Sequence, residues 1–218
     1  MKPIVIEDCS KLYFTADPHY NHANIIKYCK RPFSDVDHMN YTLIQNWNSV
    51  VTHEDSVFIL GDLAYGDKTA ILNVLNQLSG HKYLVMGNHD RNTCIPNYKL
   101  IEIFEGYKTM YVKDPDGHKE ITMCHFPMLS WQSSHKGAWN LYGHWHSHNV
   151  RMSEGNDEEE REISLYVQEE QRCYDRTRPS QYDVGVDGNN FYPVSYNEVK
   201  KIINKQINES KKAAEERR

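Results

Sequence analysis

At 218 residues the chain suits one well-buried domain and is short for two large ones. With 39% hydrophobic residues, 25% charged residues and a formal charge of −5, it has a globular composition and lacks the basic balance needed to grip long duplex nucleic acid. The N-terminus MKPIVIEDCSK has no secretory apolar core, no apolar run approaches the ~20 residues of a membrane span, and five scattered cysteines without CxxC spacing read as free thiols of a cytoplasmic protein.

Leu12 to Ala16 reads as a strand that ends at Asp17, Pro18 and His19. Asn21 to Cys29 reads as a short helix stopped by Arg31 and Pro32, and a second helix is expected from Ser34 or Asp35 to about Val51, with Met39, Leu43, Ile44 and Trp47 turned to the core. A strand from Val57 to Leu60 then runs into Gly61 and Asp62. A third helix follows from about Lys68 to Leu78, with Asp67 as N-cap and Gly80 as its stop. The strand Tyr83 to Met86 ends at Gly87, Asn88, His89, Asp90 and Arg91. Strand, helix, helix, strand, helix, strand indicates parallel pairing through helical crossovers.

Beyond Asn92 the pattern changes. Glu105 to Val112 and Glu120 to Cys124 flank the turn signal Asp114 to Gly117, so this half reads as hairpin-like. Ile121 to Cys124 leads into His125, and Trp139 to Tyr142 leads into Gly143, His144 and His146. A mixed sheet, or two packed sheets with helices outside, accommodates both halves. The acidic stretch at about 153–178 reads as an exposed insertion, with a lid or partner-binding arm as the functional alternative. Ser195 and Glu198 form a capping box for a C-terminal helix at about 196–216, carrying Val199, Ile202, Ile203 and Ile207.

Five apolar runs thus stop at metal-capable side chains, as strands do when their C-terminal ends converge on one site. The candidates are Asp17, His19, Asp62, Asn88, His125, His144 and His146. Imidazoles, carboxylates and an amide, with no thiolate, suit a first-row divalent ion, manganese first and iron, zinc or nickel also. Seven ligands exceed the needs of one ion with an open position, whereas two ions roughly 3.5 to 4 Å apart, bridged by one carboxylate, use them all. His144 and His146 reach different ions only from a loop conformation, which Gly143 permits.

Such a pair acidifies a shared water and clamps the oxygens of a displacement at phosphorus, which is phosphoester hydrolysis by a metal-activated hydroxide. His89, held in one tautomer by Asp90, is the natural acid for the leaving group. His22 and Arg91 are candidates to touch substrate phosphate, Arg91 having a surface ion pair as its alternative. Tyr20 and Trp145 are candidates to stack a base. His38, His53, His81, His118 and His135 read as surface residues, and Cys124 as a small core residue rather than a nucleophile.

The blocks DPH (Asp17 to His19), GD (Gly61, Asp62), GNHD (Gly87 to Asp90), a lone His125 after a strand, and GHWH (Gly143 to His146) resemble the calcineurin-like metallophosphoesterase superfamily. They occur in family order over residues 11 to 148, roughly two thirds of the chain. The opening FTADPHYNHANII is closest to small bacterial and phage members, and Val184 to Asp187 with Pro193 to Ser195 adds to that likeness. The acidic insertion departs from it. The resemblance implies an α/β (α+β) fold, a mixed β-sandwich of two sheets flanked by helices, as a single domain over residues 1–218. It also implies a dinuclear centre with Asp17, His19 and His146 on one ion, Asn88, His125 and His144 on the other, Asp62 bridging, and His89 with Asp90 at the leaving group.

The expected activity is that of a phosphodiesterase or phosphatase on a small or nucleotide-like phosphoester. A phosphoprotein phosphatase would use the same centre. A reading from another class is a non-catalytic metal-bound scaffold that recruits a partner through the insertion, which has no need of His89 and Asp90.

Overall fold

The computed structural model describes residues 4–90, 101–146 and 177–216. In chain order the elements are β1 (Ile4–Ile6), β2 (Leu12–Thr15), α1 (Ala23–Tyr28), α2 (Val36–Val50), β3 (Ser56–Ile59), α3 (Lys68–Leu75), β4 (His81–Val85), β5 (Ile101–Phe104), β6 (Tyr107–Asp114), β7 (Gly117–Cys124), β8 (Trp139–Tyr142), β9 (Gln181–Asp183), β10 (Val194–Ser195) and α4 (Tyr196–Glu215). The strands form two mixed five-stranded sheets, ordered β10-β2-β3-β4-β5 and β1-β6-β7-β8-β9.

Alternation along the strands explains why the sheets stack. Leu12, Phe14, Phe58 and Val85 point from the first sheet into a core shared with Met110, Val112, Ile121, Met123, Trp139 and Leu141 of the second. On its other face the first sheet turns Val57, Ile59 and Leu84 toward the helices, where they meet Met39, Leu43, Trp47, Ile71 and Val74. Each large side chain buried this way contributes about 1.5–3 kcal/mol. A sheet covered on both faces reads as continuous apolar runs, and β2, β3, β4 and β5 pair in parallel accordingly.

The caps follow the sequence closely. Asp35, Asp67 and Ser195 accept hydrogen bonds from the backbone nitrogens of His38, Ala70 and Glu198. The box at α4 is half made, since the Glu198 carboxylate goes to Lys201.

Four expectations need correction. Glu105 and Gly106 turn between β5 and β6, where Gly106 takes φ +76°, so the expected strand from Glu105 to Val112 starts only at Tyr107 and is preceded by a separate strand, β5. The hairpin reading holds for β6 and β7, but β7, β8 and β9 then run parallel. The third helix ends at Leu75, three residues early, and the Lys82 ammonium takes up the carbonyls of Leu78 and Gly80 beyond it at 2.7 and 2.8 Å. Tyr20 and Trp145 are 1% and 7% exposed, so neither ring is open to a base. The acidic insertion, apart from 177 and 178, lies outside the described residues. Among the described residues no helix is long and apolar enough to cross a membrane.

Candidate metal centre

Because β2, β3 and β4 run parallel, the segments that follow them leave from one edge of the first sheet, and those after β7 and β8 leave from the matching edge of the second. Backbone bonds carry the ladder into these loops: Asp17 donates to the Gly61 carbonyl at 3.1 Å, His19 to the Asp62 carbonyl at 3.0 Å, and Gly143 to the His125 carbonyl at 3.0 Å. Five of the ten non-glycine residues with positive φ, among the described residues, are here: Asp17, His19, Asp62, His144 and His146. Left-handed backbone costs such residues about 1–2 kcal/mol each, and strain gathered in one place marks a functional region.

Gly87 and Gly143 are required for closeness. A Cβ on Gly87 would strike the Asp62 carboxylate and lie 2.8 Å from the Asp62 backbone nitrogen, and one on Gly143 would strike the Asp17 carboxylate. The freedom expected of Gly143 is carried instead by the left-handed His144 and His146.

Asp62 stands between the candidates. Its Oδ2 is 3.5 Å from His19 Nε2 and 3.5 Å from His125 Nε2, while its Oδ1 accepts from the backbone nitrogen of His89 at 2.9 Å. His125 Nδ1 donates to the Leu60 carbonyl at 2.8 Å, which leaves Nε2 as the basic nitrogen, 2.9 Å from Asn88 Oδ1. Asp17 Oδ2 accepts from the His144 backbone nitrogen at 2.8 Å, and its Oδ1 lies 3.8 Å from His125 Nδ1. The rings of His144 and His125 meet edge to face at 5.0 Å, and those of His146 and His19 stack at 5.3 Å.

These residues fit a divalent cation. Ligand bonds of about 2.0–2.2 Å place two donors on one ion roughly 3.0–3.5 Å apart. Asp17, His19 and His146 each offer an atom within 4.8 Å of the others, as do Asp17, Asp62 and His125. Asp17 Oδ1 and His19 Nε2 are buried polar atoms without a hydrogen bond, and such groups need a partner. Burial, with His146 and Arg31 nearby, holds the His19 pKa well below its ordinary value, so its ring is neutral and able to coordinate. Burial and the neighbouring His125 push His144 down to about 3.

His89 and His22 lie at the rim. The His89 ring is 5.3 Å from His19, and His22 stacks on Tyr65 at 4.6 Å with its Nδ1 3.4 Å from that of His19. Asp90 does something its sequence position did not announce: its carboxylate accepts from the backbone nitrogens of Asp62 at 2.7 Å, Gly87 at 2.8 Å and Leu63 at 3.0 Å, joining the loops after β3 and β4. Arg91 lies outside the described residues. His38, His53, His81, His118 and His135 are exposed, and burial pushes the half-buried Cys124 thiol up, away from nucleophilic chemistry.

The chain is 38% identical over 142 residues to the uncharacterized protein MJ1445 of Methanocaldococcus jannaschii, covering 64% of this chain and 72% of that one. It is 30% identical over 169 residues to the Gene 66 protein of Mycobacterium phage D29, covering 66% and 82%. The chain belongs to the family of these two proteins. No protein-family model matches it. The fold is shared with a protein of unknown function from Aquifex aeolicus, AQ665, at a TM-score of 0.58 and 24% identity over 88% of this chain and 98% of that one.

Three ionisable side chains buried at the centre were given no role in the sequence reading. Asp183, at the end of β9, has Oδ2 without a hydrogen bond, and burial and the nearby Asp17 push its pKa up to about 8. Arg31 and Asp187 are 156 positions apart and form an ion pair with both side chains fully buried. The signals available were Arg31 at a helix end, which read simply as a stop, and Asp187 inside the family-like stretch Val184 to Asp187.

Proposed function

We propose that this protein is a metal-dependent phosphoester hydrolase with a dinuclear centre, acting as a phosphodiesterase or phosphatase on small or nucleotide-like substrates. Asp17, His19 and His146 would hold one divalent ion, Asn88, His125 and His144 the other, and Asp62 would serve both, with manganese the first choice. The observation that carries this reading is the Asp62 carboxylate, one oxygen of which is 3.5 Å from imidazole nitrogens of both proposed sets. Ions bound there supply Lewis acidity, neutralise phosphate charge and lower the pKa of water.

The chain's own residues do the rest. His89 is anchored through its backbone nitrogen to Asp62 at 2.9 Å and hands a proton to the leaving oxygen. His22, braced on Tyr65 at the same rim, would contact the phosphate group, and Arg91 is a second candidate for that role on its place in the sequence directly after GNHD. Asp90 sets the two loops that carry Asp62 and His89.

Hydrolysis of a bis-aryl phosphodiester and an aryl phosphomonoester with added manganese tests the reading. The expected result is metal-stimulated turnover, abolished in Asp62→Ala and lowered about 10²-fold or more in His89→Ala on esters with poor leaving groups. Turnover absent on every phosphoester, with both variants like wild type, would leave a metal-bound scaffold.

A further inference from the structure

The proposed ligands of one ion come from two segments, Asp17 and His19 from the loop after β2 and His146 from the loop after β8. One buried pair of side chains, Arg31 and Asp187, links the two. Arg31, 4% exposed at the end of α1, donates through Nη2 to the carbonyl of Asp17 at 2.7 Å and through Nη1 to that of Pro18 at 2.9 Å. With Nε and Nη2 it grips both oxygens of Asp187 at 2.8 Å each. Asp187 Oδ2 in turn accepts from Nδ1 of His146 at 2.6 Å.

The chemistry of each link is specific. A histidine that donates Nδ1–H to a carboxylate is fixed in ring orientation and keeps Nε2 for a metal. A carboxylate with no solvent contact stays an anion only beside a counter-charge, and the planar guanidinium fork matches its two oxygens while sparing N–H groups for the carbonyls. Those carbonyls belong to the left-handed turn in which Asp17 has φ +56° and His19 φ +52°. Cys29, His146 and Asp187 also lie within 4.8 Å of one another, but the guanidinium already fills that corner with positive charge, so the trio braces His146 rather than binding an ion.

We propose that Arg31 and Asp187 are positioning residues that set the Asp17/His19 turn and the His146 ring to one metal ion, through a single buried chain of hydrogen bonds. The inference rests on the dinuclear reading above. It assigns roles to two residues that touch neither substrate nor metal, and it makes them act on one ion of the pair.

The test is calorimetric titration of the chelator-stripped full chain with Mn²⁺, supported by the visible absorption of Co²⁺. Wild type should take up two equivalents. In Arg31→Met/Asp187→Leu, which removes both buried charges and keeps their bulk, one equivalent should weaken about 10- to 100-fold while the other holds. The Co²⁺ spectrum should change for that site alone. Arg31→Lys, with charge but no fork, should fall between. Should the double variant fail to give a cooperative melt, Asp187→Asn is read instead and should show the same selective weakening. Both equivalents unchanged, or both weakened alike, in the folded variant would overturn the proposal. Wild type taking up no divalent ion would instead overturn the dinuclear reading itself.

Discussion

The two halves of the centre are held by buried carboxylates of opposite design. Asp90 joins the loops after β3 and β4 with three backbone N–H groups, from Asp62, Gly87 and Leu63. Asp187 takes a guanidinium and an imidazole instead, binding His146 of the loop after β8 directly and the loop after β2 through Arg31. Burial raises the Asp90 pKa, and its N–H partners only partly offset that. Burial works the same way on Asp187, yet the His146 hydrogen bond and the Arg31 charge bring it below the ordinary value. Backbone dipoles fix geometry without cancelling a charge, and charged partners do both.

That difference predicts unequal responses to mutation. Asp90→Ala strips three buried N–H groups of their acceptor, and each orphan costs about 1–3 kcal/mol, so a loss of roughly 4 kcal/mol or more is expected in denaturant unfolding. These three donors are backbone groups, which no side-chain substitution removes. A loss below about 1 kcal/mol would mean that water replaces the carboxylate, and the contrast between the halves would fail.

The Arg31–Asp187 pair should behave otherwise. Arg31→Met alone leaves buried Asp187 with only its His146 partner, and Asp187→Leu alone leaves the buried guanidinium without its carboxylate; each should cost about 3–5 kcal/mol, whereas the double variant should lose less than either. A double-mutant cycle on unfolding free energies measures it. Simple additivity would show that the two side chains stabilise the fold separately, and the paired design would be disproved.

The same distinction explains what the sequence disclosed. Most of the fold was legible because its signals are local: the parallel strands end at glycine or a charged residue, and Asp35, Asp67 and Ser195 cap helices where short-range patterns place caps. The seven candidate ligands stood out in the sequence for the same reason, each lying within four residues of the end of an apolar run. The supports were not. Asp187 meets Arg31 across 156 positions and His146 across 41, separations at which no periodicity or spacing rule operates. Asp90 was visible as a carboxylate beside His89, but its N–H partners depend on how two loops pack, which the sequence does not encode locally. Strands β1, β9 and β10, of three, three and two residues, are too short for alternation to show.

A third carboxylate, remote from the centre, sharpens the comparison because it mixes both designs. Asp114, 8% exposed at the end of β6, accepts from Lys200 at 2.7 Å, from the Tyr196 hydroxyl at 2.5 Å and from the backbone nitrogen of Asp116 at 2.8 Å. Burial alone would raise its pKa, but Lys200, Tyr196 and the Asp116 nitrogen together bring it below the ordinary value. A carboxylate whose folded pKa lies below its unfolded one binds protons more readily when unfolded. Its contribution is therefore complete above the unfolded pKa of about 3.9 and disappears as pH falls through the folded value. Asp114→Asn should accordingly cost about 1 kcal/mol at pH 7, discounted for the partial exposure of Lys200, and nearly the same at pH 5. The gap to wild type should close below about pH 4. Urea unfolding of both proteins across that range decides it. A gap that persisted in acid would mean that the tyrosine and backbone bonds, and not the lysine charge, hold this corner, which would place Asp114 with Asp90 rather than with Asp187.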